Sequence, residues 1–380
     1  MIKFYQKNFR LGILGGGQLG RMLIQEAIDL DIRVKVLDPS SEAPCNAIAN
    51  EFVLGDFNDY DTVLKFGSDV DVITIEIEHV NVDALEELQK RGKKVWPSPA
   101  FLRMVQDKGL QKEFYQSLNI PTSSFRLVSN IHEVKTEELR FPFVLKARTG
   151  GYDGKGVQVI RSAKDLNEAY AGPAVVEEMV DIAKEISVIV SRNESGDVQV
   201  FPLVEMEFNP EANLVEFLFS PAQVNDDMIQ KASDLAKKIV TDASFVGLLA
   251  VEMFLDKAGN ILVNEMAPRP HNSGHHTIEA CNTSQYAQHL RSIMNMPPGD
   301  TALIRPAVMI NLLGEKGFSG PVVYEGLEEV LKYPGVHVHL YGKAETRPFR
   351  KMGHITVTAS NLEVAQQLAR KVLSRVRVIS

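Results

Sequence analysis

The chain has 380 residues, a length expected to divide into two or three compact units, because a single hydrophobic core stops growing at about 250–300 residues. Hydrophobic residues at 44 % and charged residues at 24 % exclude a disordered or fibrous chain, and a net charge of −8 argues against a broad nucleic-acid or anionic-membrane surface while allowing a local basic pocket. Two distant cysteines, Cys45 and Cys281, offer neither a disulfide framework nor a CxxC metal site, and no apolar run approaches the roughly 20 residues of a membrane span, so a cytoplasmic protein handling small anionic ligands is expected.

Residues 10–14 read as a buried strand, the glycines after it as a tight turn, and Leu19, Met22, Leu23, Ala27 and Leu30 as a helical stripe. A second strand over 33–37, a helix-like segment and an apolar run ending in DVITIEIE continue the alternation of a doubly wound parallel sheet, expected to last to about residue 99. One helical stretch is predicted over 101–118. IPTSS breaks it, and FPFVLKA opens a strand just before the glycine-rich TGGYDGKG. This second, α+β unit continues through a strand pair at 245–256 and 260–266 and ends, after the helix-like CNTSQYAQHLRSIM, at MPPGD. A third, smaller unit offers AVMINLLG, VHVHLYG and GHITVTA as strands and a closing amphipathic helix over 361–375. The expected division is therefore 1–100, 101–298 and 299–380.

Several residue groups point to chemistry. Gly15, Gly17 and Gly20 form GxGxxG between a strand and a helix, with Asp38 ending the next strand; this reads equally as a dinucleotide site or as a tight turn that needs small residues. The second glycine loop, 150–156, follows the strand bearing Lys146 and carries Tyr152, Asp153 and Lys155, so it could close over phosphates or be a surface hairpin loop. If the turn of the 245–266 strand pair centres between Ala258 and Gly259, Glu252 lies opposite Glu265. Two carboxylates on one face of otherwise apolar strands suit a shared hard cation such as Mg²⁺, against the alternative of a solvated outer face. In that ideal pleat Asn264 faces away. RPHNSGHHT, which holds Arg269, His271, Asn272, Ser273, His275 and His276, looks too polar for a core and suits anion recognition better than zinc, because HExxH is absent. Glu177, Glu178 and Glu185 read as readily as solvated charges as anything else. Lys343, Arg347, Arg350 and Lys351 make a compact basic patch fit for a phosphate monoester or simply a charged loop.

Taken in order, GGGQLGRM, TIEIEHV, QDK at 106–108, ARTGGYDGKG, VEEMV, AVEMF with NEMAPRPHNSGHHT, and RPFRKMGH resemble the ATP-grasp superfamily, and within it the N5-carboxyaminoimidazole ribonucleotide synthetases, over almost the whole chain. The resemblance implies a mixed α/β and α+β architecture: a Rossmann-like pre-ATP-grasp domain, a central ATP-grasp domain and a small C-terminal domain, in a homodimer. It implies a ligase that uses ATP and bicarbonate to carboxylate aminoimidazole ribonucleotide by way of carboxyphosphate, with Mg²⁺ as cofactor and Mn²⁺ as an alternative, and with no nucleic-acid or membrane partner. Lys108 and Lys146 would contact the ATP phosphates. Gly151, Tyr152, Asp153, Gly154, Lys155, Gly156 and Val157 would cover them. Glu177, Glu178, Met179 and Val180 would form the adenine linker, and Glu185 would hold the ribose. Glu252 and Glu265 would ligate the metal, with Asn264 beside them. The ribonucleotide would lie among Gly17, Gln18, Leu19, Glu76, Tyr152, Asp153, Arg269, His271, Asn272, Ser273, Lys343 and Arg350, with Asp153, Lys155 and Arg269 closest to the chemistry. One departure is Phe208, in EMEF, where many relatives carry the histidine of ENxH. Competing readings are a different carboxyphosphate or acyl-phosphate ligase, an NAD-dependent oxidoreductase built on GxGxxG and Asp38, and a nucleotide-binding regulator without turnover.

Overall fold

The computed structural model describes residues 4–151, 156–209, 211 and 214–380. The first unit is a five-stranded parallel sheet in the order Glu51–Leu54, Arg33–Asp38, Arg10–Leu14, Val72–Ile75, Lys94–Val95. Its central strands are apolar on both faces, with Leu11, Ile13, Val34, Val36, Val72 and Ile73 buried, because helices cover each side. The edge strand Glu51–Leu54 offers only the three apolar residues Phe52, Val53 and Leu54, with Leu54 exposed, too short a run to mark it as a strand.

The helical stretch expected over 101–118 is two helices, Pro99–Val105 and Lys108–Ser117. The break is built by side chains. Gln106 donates through Nε2 to the carbonyls of Glu78 and Val80, and the Asp107 carboxylate caps the second helix by accepting from the amides of Gly109 and Leu110. An N-cap residue is extended, so the helix must restart there.

Beyond it lies a four-stranded antiparallel sheet in the order Phe125–Val128, Ala174–Glu178, Phe143–Ala147, Val157–Ile160. The remaining large sheet has nine strands. Its path runs from Ile261–Ala267 and Gly247–Asp256 through Ile182–Arg192, Val204–Asn209 and Leu214–Ser220 to Ala307–Leu313, Lys351–Thr358 and Val336–Leu340, with Val198–Val200 beside Ile182–Arg192. The C-terminal strands therefore extend the sheet of the preceding unit: Phe217 pairs with Ile310 and Phe219 with Val308. Both phenylalanines are buried in one core with Ile355, Val357 and the inner face of the closing helix, Leu362–Leu373, which presents Ala365, Ala369 and Val372.

Candidate active site

The hairpin Gly247–Asp256/Ile261–Ala267 carries the acidic pair. Glu252 does lie opposite Glu265, but the route to that register differs from the simple one. The pairs nearest the turn, Leu255–Ile261, Phe254–Leu262 and Met253–Val263, centre it on Ala258, and Gly259 takes a φ of 85° there. Continued unbroken, that register would set Glu252 against Asn264. Instead the register shifts between Met253 and Glu252, so that Asn264 is the extra residue of a β-bulge and Glu265 meets Glu252. The bulge also turns the Asn264 amide into the cleft, where its Oδ1 accepts from Lys146 Nζ at 2.8 Å.

Glu265 accepts from Lys108 Nζ at 2.7 Å, and this ammonium holds its carboxyl well below the usual range. Burial pushes Glu252 the other way, reinforced by the charges of Glu265 and Glu185. Burial likewise lifts Glu185, on the neighbouring strand Ile182–Arg192, to about 7. Two hard carboxylates that repel each other in a partly open cleft, with side chains 17 % and 44 % exposed, are a donor set that fits Mg²⁺. Among the described residues no three histidine, cysteine or acidic side chains cluster as a further metal site.

Lys108 is the first residue of its helix, held in place by the Asp107 cap and by a bond from its own amide to the Arg148 carbonyl at 2.8 Å. The Arg148 guanidinium grips Asp107 in return, Nε to Oδ1 at 2.8 Å and Nη2 to Oδ2 at 2.6 Å. The pair ties Lys108 to the start of the second glycine loop. Sequence reasoning missed it, although QDK and ART were both in view. Lys146 sits on Phe143–Ala147 and reaches Glu177 Oε1 at 3.0 Å.

Glu177 is not a solvated charge: it is 3 % exposed. Its Oε2 accepts from Ser123 Oγ at 2.6 Å and pairs with the Lys112 ammonium at 3.2 Å, and against the cost of burial Lys146 and Lys112 keep its carboxyl below the ordinary range. Lys112, which sequence reasoning also missed, is buried, and burial pulls its ammonium down to about 8. From Glu177 the chain emerges. Glu178, Met179 and Val180 line a cavity of about 580 Å³ with Ser124, Lys257 and Leu262, and Met179 is 51 % exposed. Gly151, Gly156 and Val157 flank the second glycine loop beside this cleft, Gly156 with a φ of 78°. Tyr152, Asp153, Gly154 and Lys155 lie outside the described residues.

The first glycine loop follows the strand Arg10–Leu14. Asp38 is committed to it, accepting from the amides of Gly16 at 2.7 Å and Ser40 at 2.8 Å. Glu76 accepts from the Leu19 amide at 3.2 Å, in the first turn of the helix Gln18–Asp29. A Cβ on Gly17 would stand 2.4 Å from Glu76 Oε1, so a larger residue there would have to displace the Glu76 carboxylate. In a dinucleotide site that helix N-terminus would receive the pyrophosphate. Here the Glu76 carboxylate takes the Leu19 amide, which weighs against the oxidoreductase reading. Burial raises Glu76 to about 7, while Arg269, the Leu19 amide and Lys343 pull it down.

Arg269 Nη2 reaches Glu78 Oε1 at 2.8 Å, another contact the sequence did not single out. The Ser273 amide donates to His271 Nδ1 at 3.3 Å, which leaves Nε2–H facing Glu252 Oε1 at 3.5 Å. Ser273 Oγ also meets Ser187 Oγ at 2.9 Å. Asn272 exchanges amide hydrogen bonds with Asn311 at 2.8 and 2.9 Å, which docks this segment on the C-terminal strands. The expectation that RPHNSGHHT is too polar to be core is corrected: Ser273, His275 and His276 are each 1 % exposed. His275 is accommodated because Nδ1 meets the Tyr286 hydroxyl at 3.0 Å and its ring stacks on His354, centroids 4.5 Å apart. Lys343 donates to the Lys351 carbonyl at 2.7 Å, and Arg350 donates to that of Glu345, within its own loop. Phe208 packs among Val204, Met206 and Met309.

Three family models match: a ribonucleotide synthetase preATP-grasp domain over 9–106, an ATP-grasp domain over 113–286 and a phosphoribosylaminoimidazole carboxylase C-terminal domain over 307–368. The chain is 39 % identical to the N5-carboxyaminoimidazole ribonucleotide synthase of Bacillus subtilis, covering 91 % of this chain and 90 % of that one. It is 38 % identical to the chloroplastic phosphoribosylaminoimidazole carboxylase of Vigna aconitifolia, of which it spans only 64 %, with 93 % of this chain covered. The crystal structure of the synthetase from Thermotoga maritima superposes with a TM-score of 0.91 at 43 % identity, over 98 % of this chain and 99 % of that one. That of the Aspergillus clavatus synthase, in complex with ADP and 5-aminoimidazole ribonucleotide, gives 0.87 at 34 % over 97 % and 98 %. With the same three parts in the same order and relatives this similar along nearly their full length, the chain belongs to the N5-carboxyaminoimidazole ribonucleotide synthetase family of ATP-grasp ligases.

Proposed function

We propose that this chain uses ATP and bicarbonate to carboxylate the exocyclic amine of 5-aminoimidazole ribonucleotide, giving N5-carboxyaminoimidazole ribonucleotide for purine biosynthesis. The observation that carries the reading is a set of side-chain contacts in which nucleotide-type lysines (Lys108, Lys146) meet an acidic hairpin (Asn264, Glu265), whose Glu252 faces His271, in the same segment as Arg269; Arg269 in turn pairs with Glu78, two residues from the Glu76 that lies against the first glycine loop. Family membership supports the same reading.

In this proposal Lys108 and Lys146 hold the nucleotide phosphates, Glu185 the ribose, and 177–180 the base. Glu252 and Glu265 would hold Mg²⁺, which when bound neutralises charge on the phosphoryl oxygens. A bicarbonate oxygen bonds to the γ-phosphorus as the bond to ADP breaks; the amine nitrogen then bonds to the carboxyl carbon of carboxyphosphate as phosphate leaves, or to CO₂ after phosphate has left, and the amine loses a proton. Arg269 stabilises the transferring anion. Asp153, outside the described residues, would orient the amine, and the labile intermediate must be kept from water. Gly17, Gln18, Leu19, Glu76, Asn272, Ser273, Lys343 and Arg350 surround the ribonucleotide. The units act as 1–100, 101–298 and 299–380, in a homodimer that gel filtration would test. Among the described residues no helix is long and apolar enough to cross a membrane.

The decisive experiment follows phosphate release from Mg·ATP and labelled bicarbonate with and without the ribonucleotide. Release that depends on the ribonucleotide, with label in the carbamate, is expected. ATP hydrolysis only with another acceptor would overturn the assigned substrate. Chelating the divalent ion should abolish turnover, and restoring Mg²⁺ should return it.

A further inference from the structure

Lys146 donates a hydrogen bond to Asn264 Oδ1 at 2.8 Å and forms an ion pair with Glu177 Oε1 at 3.0 Å. A phosphate engaged by Lys146 would compete with Glu177 for the charge of this one ammonium, and a carboxylate as buried as Glu177 is costly to leave without a compensating cation. A second lysine stands behind it. Lys112 is 3 % exposed, with Nζ 3.2 Å from Glu177 Oε2. It also donates to Ser123 Oγ at 2.9 Å, and that hydroxyl donates onward to Glu177 at 2.6 Å. Its second donation, to Thr122 Oγ1 at 2.6 Å, reaches the acidic hairpin, because Thr122 donates in turn to the Val263 carbonyl at 2.7 Å, one residue from Asn264. The contacts of the ammonium are thus two hydrogen bonds to hydroxyls and an ion pair to Glu177, all of them to Glu177 or its supports.

We propose that Lys112 is a positioning residue, a fixed buried cation that keeps Glu177 ionised and held in place while Lys146 turns to the nucleotide phosphates. This rests on the nucleotide reading given above, and it predicts an effect on nucleotide binding that vanishes when Glu177 carries no charge.

The test is a double-mutant cycle read by calorimetric binding of the β,γ-imido analogue of ATP with Mg²⁺. Lys112→Met should weaken binding about tenfold in the wild-type background and by no more than about twofold in a Glu177→Gln background. Steady-state kinetics should show the KM for ATP rising while the KM for the ribonucleotide stays unchanged. A merely structural lysine would lose affinity equally in both backgrounds, or raise both KM values together, and either result overturns the proposal. If Lys112→Met does not fold, Ser123→Ala removes a neutral donor from the same carboxylate; about threefold weaker binding is expected only where Glu177 is charged, and unchanged affinity overturns the proposal. Wild-type protein that fails to bind the analogue would sink the nucleotide reading and this proposal together, whereas wild-type binding with an unaffected Lys112→Met sinks this proposal alone.

Discussion

Opposed shifts in neighbouring carboxyls are the clearest signature of the site at the scale of single residues. Glu265 is held ionised by Lys108, while Glu252, one cross-strand step away, is pushed towards its protonated form by burial and by that same Glu265 charge. Glu265→Ala should lower ATP turnover at least about 100-fold while the protein melts cooperatively, because the strand still pairs; normal phosphate release from the variant would remove the metal assignment. Glu76 makes a prediction in pH. Its folded value of about 7 lies above the ordinary 4.5, so the fold binds its proton more tightly than the unfolded chain does. Its burial therefore costs nothing below about pH 4.5, costs progressively more up to about pH 7, and costs its full amount above that. Relative to Glu76→Gln, wild-type stability should fall across that window by about 1–3 kcal/mol, as measured by urea unfolding of both proteins. Parallel pH profiles would show that Glu76 does not titrate there.

At the scale of elements, the helix start at Asp107 and the bulge at Asn264 place the two phosphate-type lysines and the acidic pair. Asp107→Ala should cost about 0.5–2 kcal/mol of stability through the lost cap and also loosen Lys108, the next residue. Asp107→Asn keeps the cap and gives up only the Arg148 ion pair, so chemical denaturation should find it clearly more stable than the alanine variant; equal loss would remove the capping account. QDK signalled a nucleotide lysine but not the helix break, because the break depends on the carbonyls of Glu78 and Val80, which arrive from the first sheet. The carboxylate pairing was legible from the apolar runs and the short connection between them. The bulge was not, because either half of the hairpin reads as regular alternation, and only the combined register shows that one residue is extra.

At the scale of the whole molecule, the nine-stranded sheet joins the C-terminal strands to the preceding unit without a gap. A chain cut at residue 298 would bare the edge of Leu214–Ser220 and the apolar faces of Phe217 and Phe219. Such an edge is a template for association, so the truncated protein should aggregate where the full chain does not, as gel filtration would report; a monodisperse truncated chain would show the two parts to be independent. Local sequence by itself determined the alternating parallel unit, the glycine loops, the acidic hairpin and the resemblance of the ordered motifs, because periodicity, turn chemistry and spacing are properties of contiguous residues. Tertiary structure alone decided that Glu177 is a buried ion-pair centre and not a solvated charge, that His275 and His276 lie in the core, and that the Glu76 carboxylate takes the Leu19 amide. Each of these turns on a partner far away in sequence, Lys112 for Glu177, His354 for His275 and Leu19 for Glu76, and whether a polar side chain is solvated, satisfied or active depends on what the fold brings against it.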